Sequence, residues 1–348
     1  MMQVSKSLTF LSLIIWFAAG HQGDSRWREV GKVQISSQSA PLLNLQSLPK
    51  AKDAPCVSVA LNDIAFASNR LGIAAGDCGS LAITSDGGST WAFSSVDEHI
   101  NFKGLFFLNE RSGWVVGNYD RKGIVLKTEE GPRNWTLQSV VTRFDLSGLH
   151  DVWFTDGQHG YVVGEMQSNG VIQGIILGTK DGGRSWDVQY AAGKRSSGLY
   201  ALKFIDSTHG WAVGHNLILT TSDGGMRWDE QFYRAGQYLF GIDFNGDAAG
   251  WVVGSDGVVL HTTDQGKTWS EISAALTRRN NWFTDIKFID TIHGWIASTD
   301  GMIIYTRDGG SSWSEEYRNS SALFRKMAST PQGLFVAGDE KIILRRGL

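Results

Sequence analysis

The run Thr221-Ser-Asp-Gly-Gly-Met-Arg-Trp228 has four close copies in the same chain, at Thr84–Trp91, Thr179–Trp186, Thr262–Trp269 and Thr306–Trp313. A worn copy stands at Thr128-Glu-Glu-Gly-Pro-Arg-Asn-Trp135. The closing tryptophans lie 41 to 51 residues apart. Ahead of each run comes a second element, clearest as Gly113-Trp-Val-Val-Gly117, Gly160-Tyr-Val-Val-Gly164, Gly210-Trp-Ala-Val-Gly214 and Gly250-Trp-Val-Val-Gly254. Weaker forms at Gly72–Gly76, Gly294–Ser298 and Gly333–Ala337 bring its copies to seven. Each is preceded by a short apolar segment with an aromatic anchor, Phe66, Phe106, Phe154, Phe204, Phe244 and Phe288 in the first six and a strand near Phe324 in the seventh.

Self-similarity at this period, in short β-branched runs bounded by Gly and Asp, is the pattern of a propeller blade. One unit reads as strand A, strand B, strand C, an Asp-box turn and strand D. The expected fold is all-β, a seven-bladed propeller. The seventh repeat stops after its third strand, and Trp27-Arg-Glu-Val30 has no partner of its own. That N-terminal segment is expected to supply the missing outer strand and close the ring, which removes an open seam. Residues 35–57 then form an extra loop before the first repeat, within a single domain over 21–348.

The boxes speak to fold more than to chemistry. An Asp carboxylate can accept amide N–H groups across its own tight turn, and the two glycines tolerate positive φ. Asp86, Asp181, Asp223, Asp264 and Asp308 therefore read as structural. They lie in different repeats, too far apart to converge on a metal or a substrate. His159, His209 and His293 occupy one turn position in separate repeats, so no shared metal site is expected. No catalytic residue and no cofactor is assigned.

Composition agrees with a turn-rich β protein: 42 Gly against 5 Pro, with 14 Trp. The first twenty residues read as a signal peptide, with Lys6 before the apolar run Leu8–Phe17 and small residues at Ala18-Ala19-Gly20. Later segments lack the uninterrupted apolar length of a membrane span. The mature chain is expected to be periplasmic or otherwise exported, and not itself membrane-spanning. The net charge of -3 argues against nucleic acid as a partner. Cys56 and Cys78 permit one disulfide after export, and equally two free thiols.

Strand direction alternates within a blade, so A–B turns and Asp boxes share one face. The B–C turns and D-to-A connections share the other. On that second face the sequence concentrates Arg143, Arg195, Arg234, Arg278, Arg279 and Arg318, interleaved with Tyr233 and Trp282. Arginine beside aromatics suits carboxylates, phosphates or an acidic protein surface, so these eight are the candidate partner-binding residues.

The combination of Gly-Trp-x-Val-Gly with T-x-D-x-G-x-T-W resembles the photosystem II stability/assembly factor family of cyanobacteria and plants, and its relatives in non-photosynthetic bacteria. The resemblance spans Trp27 to Leu348. It implies an exported, non-enzymatic, seven-bladed scaffold that acts on newly made membrane-protein subunits through an arginine-rich patch. The location implied in a phototroph is the thylakoid lumen. The chain departs from cyanobacterial members by lacking a lipoprotein cysteine and by carrying the loop at 35–57. The implied partner is a membrane protein complex or its unassembled subunits, met by a monomer. An Asp-box glycoside hydrolase or glycan-binding propeller is the alternative, although no carboxylate pair stands out at hydrolase spacing.

Overall fold

The computed structural model describes residues 26–30, 42–44, 60–138, 140, 144–168, 170–193, 198–246, 248–272 and 281–348. Among them the secondary structure is strand, apart from three single 3-10 turns. Each repeat folds as an antiparallel meander. In the first, Leu61–Phe66, Gly72–Gly76, Ser80–Thr84 and Ala92–Ser95 follow one another from inner to outer edge. The inner strand of the last repeat packs beside that of the first, so the sheets close into a propeller.

The count of separate blades differs from expectation. The described strands form six hydrogen-bonded sheets, not seven. The fourth and fifth sequence repeats share one six-stranded sheet, because Asp229–Asn245 runs unbroken from the outer edge of one to the inner edge of the other. Its first half pairs with Gly210–Thr221 and its second half with Ala249–Gly254.

Ring closure follows the sequence reading. Trp27–Glu29 pairs antiparallel with Ile343–Arg346, Trp27 facing Arg346. The seam is fixed by Glu316, whose side chain is almost fully buried. Its carboxylate accepts Trp27 Nε1 at 3.0 Å, Trp295 Nε1 at 2.8 Å and a bidentate Arg346 guanidinium at 3.0–3.2 Å. Within the segment expected as a loop, Leu42–Asn44 adds a parallel strand to the outer edge of the second repeat. Cys78, in a 3-10 turn at φ 55, is not a free thiol, while Cys56 lies outside the described residues.

Between repeats the core is one aromatic arrangement used again and again. The strand-B aromatic of one repeat stacks on the strand-A phenylalanine of the next: Trp114 on Phe154 at 3.5 Å, Tyr161 on Phe204 at 4.5 Å, Trp211 on Phe244 at 4.0 Å and Trp251 on Phe288 at 3.7 Å. The box tryptophan of that next repeat then meets the phenylalanine edge-on, as Trp186 meets Phe154 at 86°. Such pairs add about 0.5–1.5 kcal/mol each beyond the area they bury. The expected anchor Phe106 is corrected to Phe107. Phe107 faces Gly113 in the ladder and packs edge-on against Trp135, while Phe106 turns toward the ring's centre.

The Asp boxes have the expected internal bonding. Asp223 Oδ1 accepts the Thr221 hydroxyl at 2.9 Å and the Arg227 amide at 3.0 Å, and Thr221 Oγ1 accepts the Gly225 amide at 2.8 Å. The same scheme recurs at Asp86, Asp181, Asp264 and Asp308. The Ser185 hydroxyl and amide hold Asp181 well below the usual carboxylate range, and the Thr268 amide and hydroxyl hold Asp264 at about 2.

The second glycine of a box serves the neighbour. A Cβ on Gly225 would stand 2.5 Å from Tyr161 Cε1, and one on Gly88 would stand 2.3 Å from Phe335 Cε1. The worn second box holds Pro132 at this position, and the preceding repeat presents Ile73 where the others present an aromatic ring. With no ring to receive, the glycine is not needed.

Gly225→Ala is therefore expected to cost about 2–4 kcal/mol, from the clash and from φ 77 at that residue. Pro132→Ala is expected to cost less than about 1 kcal/mol. Chemical denaturation of both variants checks this, and equal losses would refute the account.

Candidate functional site: channel mouth and central channel

Every inner strand breaks register with its neighbour at the same place. The shifts fall between Leu61 and Asp63, Phe102 and Gly104, Leu149 and Asp151, Leu199 and Ala201, Leu239 and Gly241, Phe283 and Asp285, and Phe324 and Lys326. A bulge leaves its extra residue out of the ladder and re-aims the side chain. The bulged residues include His150, Tyr200, Phe240, Thr284 and Arg325. All stand near the start of the inner strand, on the face of the D-to-A connections.

There the aromatics meet. Phe240 lies 5.6 Å from Trp282 and 5.6 Å from Tyr200, and Tyr238 stacks 6.0 Å from Trp282. His215, from a B–C turn, stacks on Tyr238 at 4.1 Å and 6°. His150 meets Tyr200 edge-on at 5.4 Å, and its Nε2 stands 3.8 Å from Glu165. The His150 imidazole holds Glu165 below its ordinary value, while burial and Glu165 push the Tyr200 phenol up. Burial lowers His215. The ribbon crosses three sequence repeats, and Trp282 remains 42% exposed.

The candidate residues taken from the sequence divide accordingly. Trp282 belongs to the ribbon. Tyr233 is 45% exposed on the same long strand that carries Tyr238. Arg234 pairs with Glu271 at 2.6 Å, and Arg318 pairs with Glu315 at 2.6 Å and Asp300 at 3.1 Å. Both described arginines thus carry an acidic partner. Arg143, Arg195, Arg278 and Arg279 lie outside the described residues. His159, His209 and His293 each contact an aspartate of their own turn through Nδ1, at 2.7–2.9 Å. Among the described residues no group of acidic, His and Cys side chains is arranged to hold a metal.

Beneath the ribbon the channel holds a charge network that the sequence reading missed. Asp63 Oδ2 accepts the Leu105 amide of the next repeat at 2.8 Å, and Asp151 Oδ2 accepts that of Leu202 at 2.9 Å. Asp285 Oδ2 accepts the Met327 amide at 2.8 Å, and Asp243 Oδ2 accepts that of Phe288 at 3.0 Å. Each carboxylate thereby staples two inner strands. Lys326 stands 3.4 Å from Asp285, and the field of Asp285, Asp151 and Asp63 raises its pKa against the desolvation of its half-buried side chain. Burial pushes Asp63 up to about 8, against Lys326 and the Leu105 and Ile64 amides. Burial likewise raises Asp151 and Asp285. It opposes ionisation of Asp243 too, but Lys203 and Lys287 hold that carboxyl low. The only signal in the sequence was an inner strand reading apolar-charged-apolar, as in Leu239–Phe244 or Phe283–Phe288, and its meaning depends on register.

Asp63 makes stability depend on pH in a defined direction. Its folded pKa of about 8 exceeds the unfolded value near ~3.9. Its contribution is full below about pH 4 and is lost as pH rises to about 8. Asp63→Asn stays neutral throughout but gives up one amide acceptor. It should be less stable than the wild type at pH 5, with the gap closing by pH 9. Thermal melts across that range check this, and a constant gap would overturn it.

The family model for photosynthesis system II assembly factor YCF48 matches residues 46–148 and 194–279. Photosystem II stability/assembly factor HCF136, chloroplastic, of Arabidopsis thaliana is 32% identical over 69 residues, a stretch covering 20% of this chain and 15% of that protein. Among solved structures, YCF48 bound to D1 peptide superposes with a TM-score of 0.67 at 22% identity, over 87% of this chain and 99% of that one. YCF48 from Cyanidioschyzon merolae gives 0.68 at 18% identity, over 93% and 99%. The WD40 β-propeller domain of Doa1 gives 0.61 at only 8% identity, over 84% and 94%, which is a likeness of fold alone. With the family model matched over more than half its length, the chain belongs to the photosynthesis system II assembly factor YCF48 family.

Proposed function

We propose that this protein is a non-enzymatic scaffold, exported from the cytoplasm, that assists the assembly or stability of a membrane protein complex. It does so by docking a segment of an unassembled subunit on the face of the D-to-A connections. The observation that carries this is the aromatic ribbon from Tyr200 through Phe240 to Trp282, its ring centroids 5.6 Å apart and left partly open to solvent. Exposed, preorganised aromatics at the centre of a face are the usual anchors of protein interfaces. The sequence assigns Arg143, Arg195, Arg278 and Arg279, which lie outside the described residues, to the D-to-A connections of this face, where they would suit an acidic rim; Arg234 and Arg318 lie in the strands Asp229–Asn245 and Ser314–Arg318. The related YCF48 is described bound to a D1 peptide, which fits a membrane-subunit client. No described helix is long and apolar enough to cross a membrane.

Mild cross-linking in intact cells, followed by recovery of a C-terminally tagged chain from the membrane fraction, tests the reading. A specific membrane-protein subunit should co-purify. Its yield should fall at least about tenfold in a Tyr238→Ala/Trp282→Ala double variant. Met226→Ala, on the Asp-box face and 72% exposed, should retain it. Recovery indifferent to the ribbon, or a glycan captured in place of a subunit, would overturn the reading.

We also infer that the six-stranded sheet is two blades, so that the ring carries seven. Supporting this, Gly210–Thr221 and Asp229–Asn245 each change partners halfway along, with Asn216 at φ 76 turning the first of them. The described core also divides into seven clusters, most of them formed between neighbouring repeats.

Cys78 is not a free thiol, and the chain has one other cysteine. A Cys56–Cys78 bridge would tie the segment before the first repeat to that repeat's B–C turn. A non-reducing peptide map of the exported protein should show one linked pair. Alkylation of both cysteines without reductant would refute it.

A further inference from the structure

The charge network lines a cavity of about 310 Å³, within the range of small-ligand sites. Its walls are the second halves of the inner strands, so it lies toward the Asp-box face and shares no residue with the aromatic ribbon. Four carboxyl groups face it, from Asp63, Asp151, Asp243 and Asp285, against the three ammoniums of Lys203, Lys287 and Lys326.

These groups are unevenly placed around the ring. The fourth to seventh repeats carry all three lysines together with Asp243 and Asp285. Lys203 Nζ and Lys287 Nζ meet Asp243 Oδ1 at 2.9 and 3.4 Å, and Lys326 Nζ meets Asp285 Oδ1 at 3.4 Å. The first three repeats bring Asp63 and Asp151 to the wall and no cation. Asp63 accepts the Ile64 and Leu105 amides, and Asp151 those of Val152 and Leu202. Among the described residues neither is in an ion pair, since the lysines of the wall are held at the other two aspartates. Lys103, on the strand beside Asp63, turns to Asp77 at 2.8 Å. Burial accordingly pushes Asp63 up to about 8, the field of Lys326 opposing and that of Asp151 adding to the rise.

The same part of the wall is the aromatic one. Ala65 and Trp153 stand two residues beyond Asp63 and Asp151 on their strands, and Phe106 lies 5.2 Å from Trp153. Both rings are only partly buried although they stand inside a closed ring of sheets. Large rings are normally covered at such positions, and here the cavity leaves part of their surface bare. The shelf already receives one ammonium, as Lys203 Nζ lies 4.9 Å over the Trp153 ring.

We propose that this cavity binds a small organic ammonium ion with an apolar or aromatic body, its cationic head at Asp63 and Asp151 and its body against Phe106 and Trp153. One such ion brings the wall to four anions and four cations. It supplies the ion-pair partner that the two carboxyl groups lack, and it covers the two bare rings. Below about pH 8 the ammonium takes the place of the Asp63 proton, so binding releases that proton. The site does not depend on partner docking, which uses the opposite face.

Titration calorimetry on the full chain tests it with 3-phenylpropylamine, 3-phenyl-1-propanol and 3-phenylpropionate as probes. At pH 9 the amine should bind saturably at one site per chain, with alcohol and acid at least about tenfold weaker. At pH 6 its affinity should be at least about tenfold lower, with proton release seen as a dependence of the heat on the buffer. Asp63→Asn and Asp151→Asn each keep an amide acceptor. Either should weaken the amine at least about tenfold at pH 9 and leave the alcohol unchanged, and Asp63→Asn should also flatten the pH dependence. Ala65→Leu or Ala328→Leu, which fill the cavity without touching a charge, should abolish binding, with thermal melting confirming that each variant folds. The proposal fails if the amine does not bind saturably, if alcohol or acid binds as tightly, if affinity is equal at pH 6 and pH 9, or if the filled variants bind as well as the wild type.

Discussion

Each repeat of this protein is held to the next by one flat aromatic contact, between a strand-B ring and the strand-A phenylalanine that follows it. The contact fixes the distance between neighbouring sheets, because stacked rings tolerate little variation in separation. Other features follow from it. The box tryptophan must approach the phenylalanine by its edge, since the face is occupied. The second glycine of the box must lack a side chain, since the strand-B ring passes beneath it. A propeller has no single core, and the described buried residues accordingly fall into separate clusters. Removing one of the stacked phenylalanines would open a cavity between two sheets at a cost of about 3–5 kcal/mol.

The two places where the contact is missing explain the two irregular repeats. Ile73 offers no ring to the second repeat, and there the box has lost its Asp and its second glycine. At the closing seam the last repeat carries Ser329 at the strand-A position where other repeats have phenylalanine, so Trp295 has no ring there to stack on. Glu316 takes over, bound by two indole N–H groups and by the guanidiniums of Arg346 and Arg26 across three segments of chain. A buried carboxylate so fully satisfied is strongly directional. That suits a junction at which the first described strand must find the last.

The boxes and the repeating all-β propeller unit were legible because they depend on short-range chemistry: a carboxylate, two small residues and an indole within eight positions. Closure by Trp27–Val30 was legible because the last repeat was visibly one strand short. Phe107 in place of Phe106 was not, because two adjacent phenylalanines differ only in which way the ladder points them. The same blindness hid the channel. Asp63, Asp151, Asp243 and Asp285 look like isolated acids in apolar strands until the bulges put them opposite amides of the next repeat. The merged sheet escaped notice because nothing in Asp229–Asn245 announces that one strand can serve two repeats. At the candidate site, Trp282 was identified for its place on a connection. Phe240 and Tyr238 gain their meaning only from stacking across repeats that lie far apart in sequence.

The two faces of the ring are built under different constraints, and that difference bears on where function can reside. On the Asp-box face each carboxylate is consumed by its own turn, and a side chain added to either glycine meets the turn or the neighbouring repeat. Little there can change without loosening a blade. On the opposite face the bulge removes one residue per inner strand from the ladder, so its side chain is released from any role in pairing. The fold therefore provides a ring of positions around the channel mouth that can vary in chemistry without disturbing the stacks below. In this chain that ring holds Tyr200 and Phe240 on one side and Lys103 and Arg325 on the other, each of the latter bound to a nearby aspartate. A partner that displaced those aspartates would gain two cations beside an aromatic platform with no rearrangement of the backbone.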